Sequence, residues 1–195
     1  MKKEKINIGL IGLGRIGKMH AKNIFQNLPF FNLKSIADPD PNTDFTQNLE
    51  DVVISDNIDN VLSDKKIEAV IVCSPTPTHY DIIKKCAAQK KHVFCEKPIS
   101  FSENEIKELI TIKNKQNIFI QVGLNRRFDQ DFLVAKEKID SGTLGDIHTI
   151  HITNHDASIP RFKFLKSSGG MLFDLCIHCL LYTSDAADEG LGVDL

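Results

Sequence analysis

Three places in this 195-residue sequence carry residues whose types and spacing can do chemistry. The first is Gly12-x-Gly14-x-x-Gly17, entered from the apolar run Ile6 to Ile11 and left through the helix-like segment Lys18 to Phe25. A buried strand that ends in a tight turn needs a residue able to take a backbone conformation closed to side chains, and Gly12 supplies it. Gly14 lets the main chain approach a pyrophosphate, and Gly17 lets the following helix pack close to the strand. That helix start, with Arg15 and Ile16, offers free N–H groups and the positive end of a dipole. Leu33 to Asp38 reads as the next strand, and Asp38 lies 26 residues after Gly12. That is near the offset at which a carboxylate accepts hydrogen bonds from the adenosine ribose. Together these features predict a dinucleotide site. The bland alternative is a doubly wound domain that has lost its cofactor.

The second place is Glu96-Lys97-Pro98, after the predicted strand His92 to Cys95. A lysine at the carboxyl end of a central strand stands beside the nicotinamide position, where a cation can hold a substrate oxygen. Pro98 can fix the direction of that lysine, especially through a cis bond. Standing alone, the tripeptide reads as a surface charge before a helix.

The third place is Asp174 and His178, shortly after Gly169-Gly170. If the segment is helical, the two side chains share one face. A carboxylate beside an imidazole fixes its tautomer and raises its basicity, as a general base requires. A plain surface pair is the competing reading. Metal ligation by this pair with His151 or His155 is not expected, so no metal is predicted.

The elements that must position these residues alternate strand and helix. After Asp38, the turn Pro39-Asp40-Pro41-Asn42 leads to a short strand at Val52-Val53-Ile54 and a short helix over Ile58 to Leu62. Ile67 to Cys73 is nearly continuous in apolar residues, as a strand buried on both faces should be. The loop at its carboxyl end, Ser74 to His79, borders the ligand crevice of such a sheet, which makes Ser74, Thr76 and His79 cofactor-site candidates. His79 reads either as a cofactor contact or as a structural residue at the start of a helix that Thr78 caps. Ser102 and Glu105 have capping-box spacing before a helix running to about Gln116. Ile118 to Val122 completes the strands. An amphipathic helix through Ile139 follows, and Ile147 to Ile152 alternates like a half-exposed strand. The expected architecture is α/β: a doubly wound parallel Rossmann domain over 1–123, then the beginning of an α+β substrate domain over 124–178.

Composition narrows the function classes. A formal charge of −2, with 42% hydrophobic and 26% charged residues, is ordinary for a globular chain and supplies no basic field for nucleic acid. No apolar run approaches the ~20 residues of a membrane span, and no apolar leader precedes the first strand. Cys73, Cys86, Cys95, Cys176 and Cys179 are scattered as reduced thiols would be, so a cytoplasmic location is expected.

Four segments taken together resemble the glucose–fructose oxidoreductase/inositol dehydrogenase family. They are Gly9 to Gly17, Cys95-Glu96-Lys97-Pro98, Gly123-Leu124-Asn125-Arg126-Arg127-Phe128-Asp129, and Gly169-Gly170 with Asp174 and His178. The Asn125 to Asp129 segment and Leu165 to Gly170 look most like members known as inositol 2-dehydrogenases. The resemblance implies an NAD-dependent dehydrogenase of polyol or sugar hydroxyls, with NADP the less expected cofactor. Lys97, in a tight turn with a cis bond to Pro98, would hold the reacting hydroxyl, His178 would take its proton, and Asp174 would orient His178. Asn125, Arg127, Asp156 and Lys166 would contact the substrate, and Glu96 the cofactor. Relatives that sense NAD(P) without turnover supply the alternative, a regulator. A full family member runs well past residue 178 and commonly forms a tetramer. Residues 179–195 instead match the translation of a common transposase sequencing adapter and are expected to be foreign to the gene. The spacing Cys176-x-x-Cys179 would then be an accident of the junction.

Overall fold

The structure is a computed structural model that describes residues 5–41, 44–153, 155, 159 and 162–178, without the side chains at 48, 163, 164 and 178. Asp156 and the segment 179–195 therefore lie outside the described residues. Two compact units meet at the Val122/Gly123 boundary.

The first unit alternates strand and helix: β1 (Ile6–Ile11), α1 (Arg15–Asn27), β2 (Phe31–Ala37), β3 (Val53–Ser55), α2 (Asp59–Leu62), β4 (Ala69–Val72), α3 (His79–Ala88), β5 (His92–Cys95), α4 (Glu103–Gln116) and β6 (Ile120–Val122). The six strands form one sheet of order β3-β2-β1-β4-β5-β6, and every pairing is parallel. Consecutive parallel strands need a crossover, and right-handed crossovers in both directions from β1 put helices on both faces. The sheet is therefore buried on both sides, which is why its strands read as apolar runs.

The alternation along β1 divides the core. Ile8 and Leu10 pack with Leu13, Ala21, Ile24, Leu33 and Ile36 beneath α1. Ile11 belongs to the opposite layer, with Val61 and Leu62 of α2, Ile82, Ile83 and Cys86 of α3, and Leu109 of α4. Leu10, Ile36 and Val70 are fully buried, each contributing roughly 1.5–3 kcal/mol of transfer free energy.

Two expected caps form differently. Thr78 occupies the position before α3, but its hydroxyl oxygen lies 2.7 Å from Ser74 Oγ and 2.8 Å from the Pro75 carbonyl oxygen and makes no cap bond. At α4, Ser102 Oγ does accept from the Glu105 N–H, at 3.5 Å. The reciprocal half passes through Ser100, whose hydroxyl donates to the Glu105 carboxylate and accepts from the Ser102 N–H.

The second unit holds a 3₁₀ turn (Asn125–Phe128) and the helices α5 (Gln130–Asp140), α6 (Phe162–Ser167) and α7 (Gly170–Asp174), followed by a 3₁₀ turn at Cys176–His178. Asp129 caps α5, accepting from the N–H groups of Asp131 and Phe132. The strand expected at Ile147–Ile152 is absent: this segment carries no ladder. Its alternating pattern suits a sheet, yet a strand needs a neighbour to pair with, and no described residue of this unit supplies one. No described helix is long and apolar enough to cross a membrane.

Candidate functional site

The order of the sheet reverses between β1 and β4, the switch point where an open α/β sheet forms a crevice at the carboxyl ends of its strands. The three glycines stand there, each for a different physical reason. Gly12 has φ +95°, and a Cβ on it would lie 2.6 Å from the Cys73 carbonyl carbon and the Ser74 nitrogen, so only glycine fits. A Cβ on Gly17 would lie 2.0 Å from the Gly12 carbonyl oxygen, so the helix can approach the turn only without one. A Cβ on Gly14 would meet nothing within 4 Å. Gly14 is thus the open wall of the turn, the side a phosphate can approach. It precedes α1 with no side-chain cap, and Arg15 and Ile16 begin the helix beside it.

The turn is pinned by its neighbours. The Gly12 N–H donates to the Ala37 carbonyl at 2.8 Å, and Cys73 N–H donates to the Ile11 carbonyl at 2.7 Å. Asp38, just past β2, accepts from the Leu13 N–H at 2.6 Å through Oδ2 and from the Asp40 N–H at 2.9 Å through Oδ1. The acid expected to read the ribose is therefore fastened to the glycine turn itself.

At the carboxyl end of β4, the Ser74 to Thr78 loop folds as a 3₁₀ turn over Thr76–Thr78. His79, expected either as a cofactor contact or as a structural residue, follows this loop at the start of α3. His79 is 1% exposed, with Nδ1 2.9 Å from the Pro98 carbonyl oxygen and Nε2 2.8 Å from the Ser74 carbonyl oxygen. Both polar atoms of the ring are turned to backbone, so it ties the β4 loop to the turn after β5. These contacts suit the structural reading of His79.

That second turn carries Lys97. Its bond to Pro98 is cis, as expected. Lys97 is half-buried and has a partner of its own. Glu96 accepts from His20 of α1, with Nε2 2.7 Å from Oε1. His20 was missed by sequence reasoning. It is a single histidine inside a helix, 76 residues from its partner, and its only local signal is that it follows Gly17 by one turn of the same face. Burial pushes the thiols of Cys73 and Cys95 up from their ordinary range, and the Glu96 carboxylate adds to both shifts. These cysteines are packing residues, not nucleophiles.

In the second unit, Asp174 ends α7, and Leu175 separates it from the 3₁₀ turn that contains His178. The continuous helix that would stack the two residues is therefore broken. A five-residue helix with Met171 and Leu172 exposed lacks the buried face that sustains longer ones. The side chain of His178 and all of Asp156 lie outside the described residues. Asn125 is exposed, Arg127 is half-buried with a partner, and Lys166 lies over the Phe162 ring at 4.7 Å. Among the described residues no three His, Cys, Asp or Glu side chains converge as a metal site requires.

A parallel sheet with a glycine turn at its switch point and an acid after the second strand defines a dinucleotide-binding Rossmann domain. Residues 6–124 match the family described as "Oxidoreductase family, NAD-binding Rossmann fold", residues 132–187 match the "GFO/IDH/MocA C-terminal domain", and the chain belongs to this family. The second match runs past Cys179, into the segment read as adapter. Among relatives, the chain is 37% identical over 177 residues to an uncharacterized oxidoreductase, YrbE, of Bacillus subtilis, covering 90% of this chain and 52% of that one. It is 36% identical over 175 residues to myo-inositol 2-dehydrogenase of Thermotoga maritima, covering 89% and 52%. The chain thus spans about half the length of the curated relatives it matches. A scyllo-inositol dehydrogenase of Lactobacillus casei, solved with NAD(H) and scyllo-inositol, superposes with TM-score 0.67 at 30% identity over 73% of this chain and 43% of that one.

Proposed function

We propose that this chain is part of an NAD-dependent dehydrogenase that oxidises a CH–OH group of an inositol-like polyol. The observation that carries this reading is the placement of Lys97. It stands at the carboxyl end of β5, on the same sheet edge as the Gly12 to Gly17 turn and Asp38. The chemistry of that edge fits the cofactor. Open space at Gly14 and the uncapped start of α1 suit a pyrophosphate, and the Asp38 carboxylate suits unmodified ribose hydroxyls.

Gly12, Gly14, Arg15, Ile16 and Gly17 would hold the phosphates, Asp38 the adenosine ribose, and Ser74, Thr76 and Glu96 the remainder. When bound, NAD supplies the hydride acceptor. Lys97 holds the reacting hydroxyl and favours its developing negative charge. His178 takes the hydroxyl proton, and Asp174 sets the tautomer of His178. Asn125, Arg127, Asp156 and Lys166 contact the other hydroxyls. Asp38 repels a 2′-phosphate, so NAD is the preferred cofactor. The complete protein is read as a cytoplasmic tetramer, and the 195-residue chain alone as an NAD binder without turnover.

Two assays test this. Isothermal titration of the 195-residue chain with NADH should give saturable binding. The complete protein, given NAD and a panel of polyols, should form NADH with an inositol among the best substrates. Binding of NADH with no oxidation of any polyol or sugar would overturn the enzyme and favour the regulator.

A further inference from the structure

Lys97 has Glu96 before it and Pro98 after it, and each neighbour is gripped by a histidine from a different element. His79, at the start of α3, faces the Pro98 carbonyl from a fully buried position. His20, in the second turn of α1, holds the Glu96 carboxylate. We propose that His20 is a positioning residue for Lys97: through Glu96 it fixes the turn on which the lysine stands, and it ties that turn to the helix whose start faces the phosphates. The role given to Lys97 rests on the dehydrogenase reading above, whereas the brace itself does not.

Three observations carry this. The pair is half-buried, at 20% and 22% side-chain exposure, and joins residues 76 apart in sequence. An exposed ion pair at a random surface position contributes ~0–1 kcal/mol and orders little. A pair shielded between a helix and a strand end has fewer waters competing for it. The His20 ring is also held edge-on against Phe94 of β5, with centroids 5.3 Å apart and planes at 66°, so its direction is set before it meets Glu96. Finally, the Glu96 N–H donates to the Val72 carbonyl at 2.9 Å. The backbone of Glu96 thus belongs to the sheet while its side chain belongs to α1. Rotation of the next residue, Lys97, is restrained at both ends, by Glu96 on one side and by the His79 contact to Pro98 on the other.

The geometry makes the hydrogen bond the working part, and a glutamine can reproduce it because its amide nitrogen mimics imidazole Nε2. The test uses the 195-residue chain as wild type and as His20→Phe, His20→Gln, Glu96→Leu and the double variant His20→Phe/Glu96→Leu. Amide hydrogen exchange is read over residues 95–101. His20→Phe and Glu96→Leu should each speed exchange there by roughly five- to tenfold, the scale of one ordinary intramolecular hydrogen bond. The double variant should be no faster than either single one, and His20→Gln should stay within about twofold of wild type. In the complete protein, His20→Phe should lower kcat by a similar factor and weaken NADH binding by less, since Glu96 is one cofactor contact among several. Unchanged exchange in His20→Phe, additive effects in the double variant, or a His20→Gln as loose as His20→Phe would each overturn the brace. NADH affinity falling as far as kcat would place the effect at the phosphate end and overturn the positioning role. Failure of wild type to bind NADH would sink the dehydrogenase reading, and the exchange experiment would still decide the brace.

Discussion

The Asp38 carboxylate accepts the Leu13 N–H at 2.6 Å, so the acid after β2 and the turn after β1 form one unit before any ligand arrives. Preorganisation of this kind lowers the ordering cost of binding. Under the proposed function the charge has two tasks, holding the turn and excluding a 2′-phosphate. Asp38→Asn keeps an oxygen for the Leu13 N–H while removing the charge and the acceptor that the Asp40 N–H uses. Wild type should bind NADH more tightly than NADPH, and Asp38→Asn should move the ratio toward NADPH by roughly tenfold, about 1.4 kcal/mol. Titration of both proteins with both cofactors checks this; equal affinities in wild type would contradict it.

The glycines separate folding from binding. A Cβ at Gly17 collides with the Gly12 carbonyl oxygen, whereas one at Gly14 meets nothing within 4 Å. Gly17→Ala should therefore cost roughly 1–3 kcal/mol of stability, the scale of overpacking. Gly14→Ala should leave the unfolding midpoint in urea unchanged and still weaken NADH binding by about tenfold or more. A Gly14→Ala protein that binds NADH like wild type would show that no phosphate passes there.

Much of this site was legible because its signals are local. Six parallel strands buried on two faces announce themselves as apolar runs, and a turn that needs glycine shows glycine. Asp38 follows from a fixed offset along one βαβ unit. The brace from His20 to Glu96 has no such trace, since it joins two local segments only through the folded sheet. His79 shows the same limit: its place beyond a strand end was legible, but its burial against the Ser74 and Pro98 carbonyls was not. Ile147–Ile152 has the pattern of a strand, but pattern cannot provide the neighbour that a ladder needs. The break after Asp174 was equally hidden, because residue spacing describes a helix only where packing sustains one.

The buried thiols set an alkaline limit. Burial raises Cys86 from 9.0 to about 12, and burial likewise raises Cys95 well above its ordinary value. A group whose folded pKa lies above the unfolded one contributes stability below the unfolded value and loses it as pH rises toward the folded value. Stability should therefore fall from about pH 9 to pH 12, by about 2 kcal/mol per thiol near pH 10.5. Urea midpoints measured from pH 7.5 upward check this. Cys86→Val should reduce the slope by about one proton, and an unchanged slope would contradict the prediction.

In the proposed reaction, hydride leaves a polyol carbon and reaches a cofactor held at the Gly12 to Gly17 turn. Incubating the complete protein with NAD and an inositol deuterated at the carbinol carbon, then examining the product by mass spectrometry and NMR, tests it most directly. Deuterium at C4 of the NADH formed, with the matching ketone as co-product, is the result predicted. NADH without deuterium, or no NADH from a protein that demonstrably binds NAD, would contradict it.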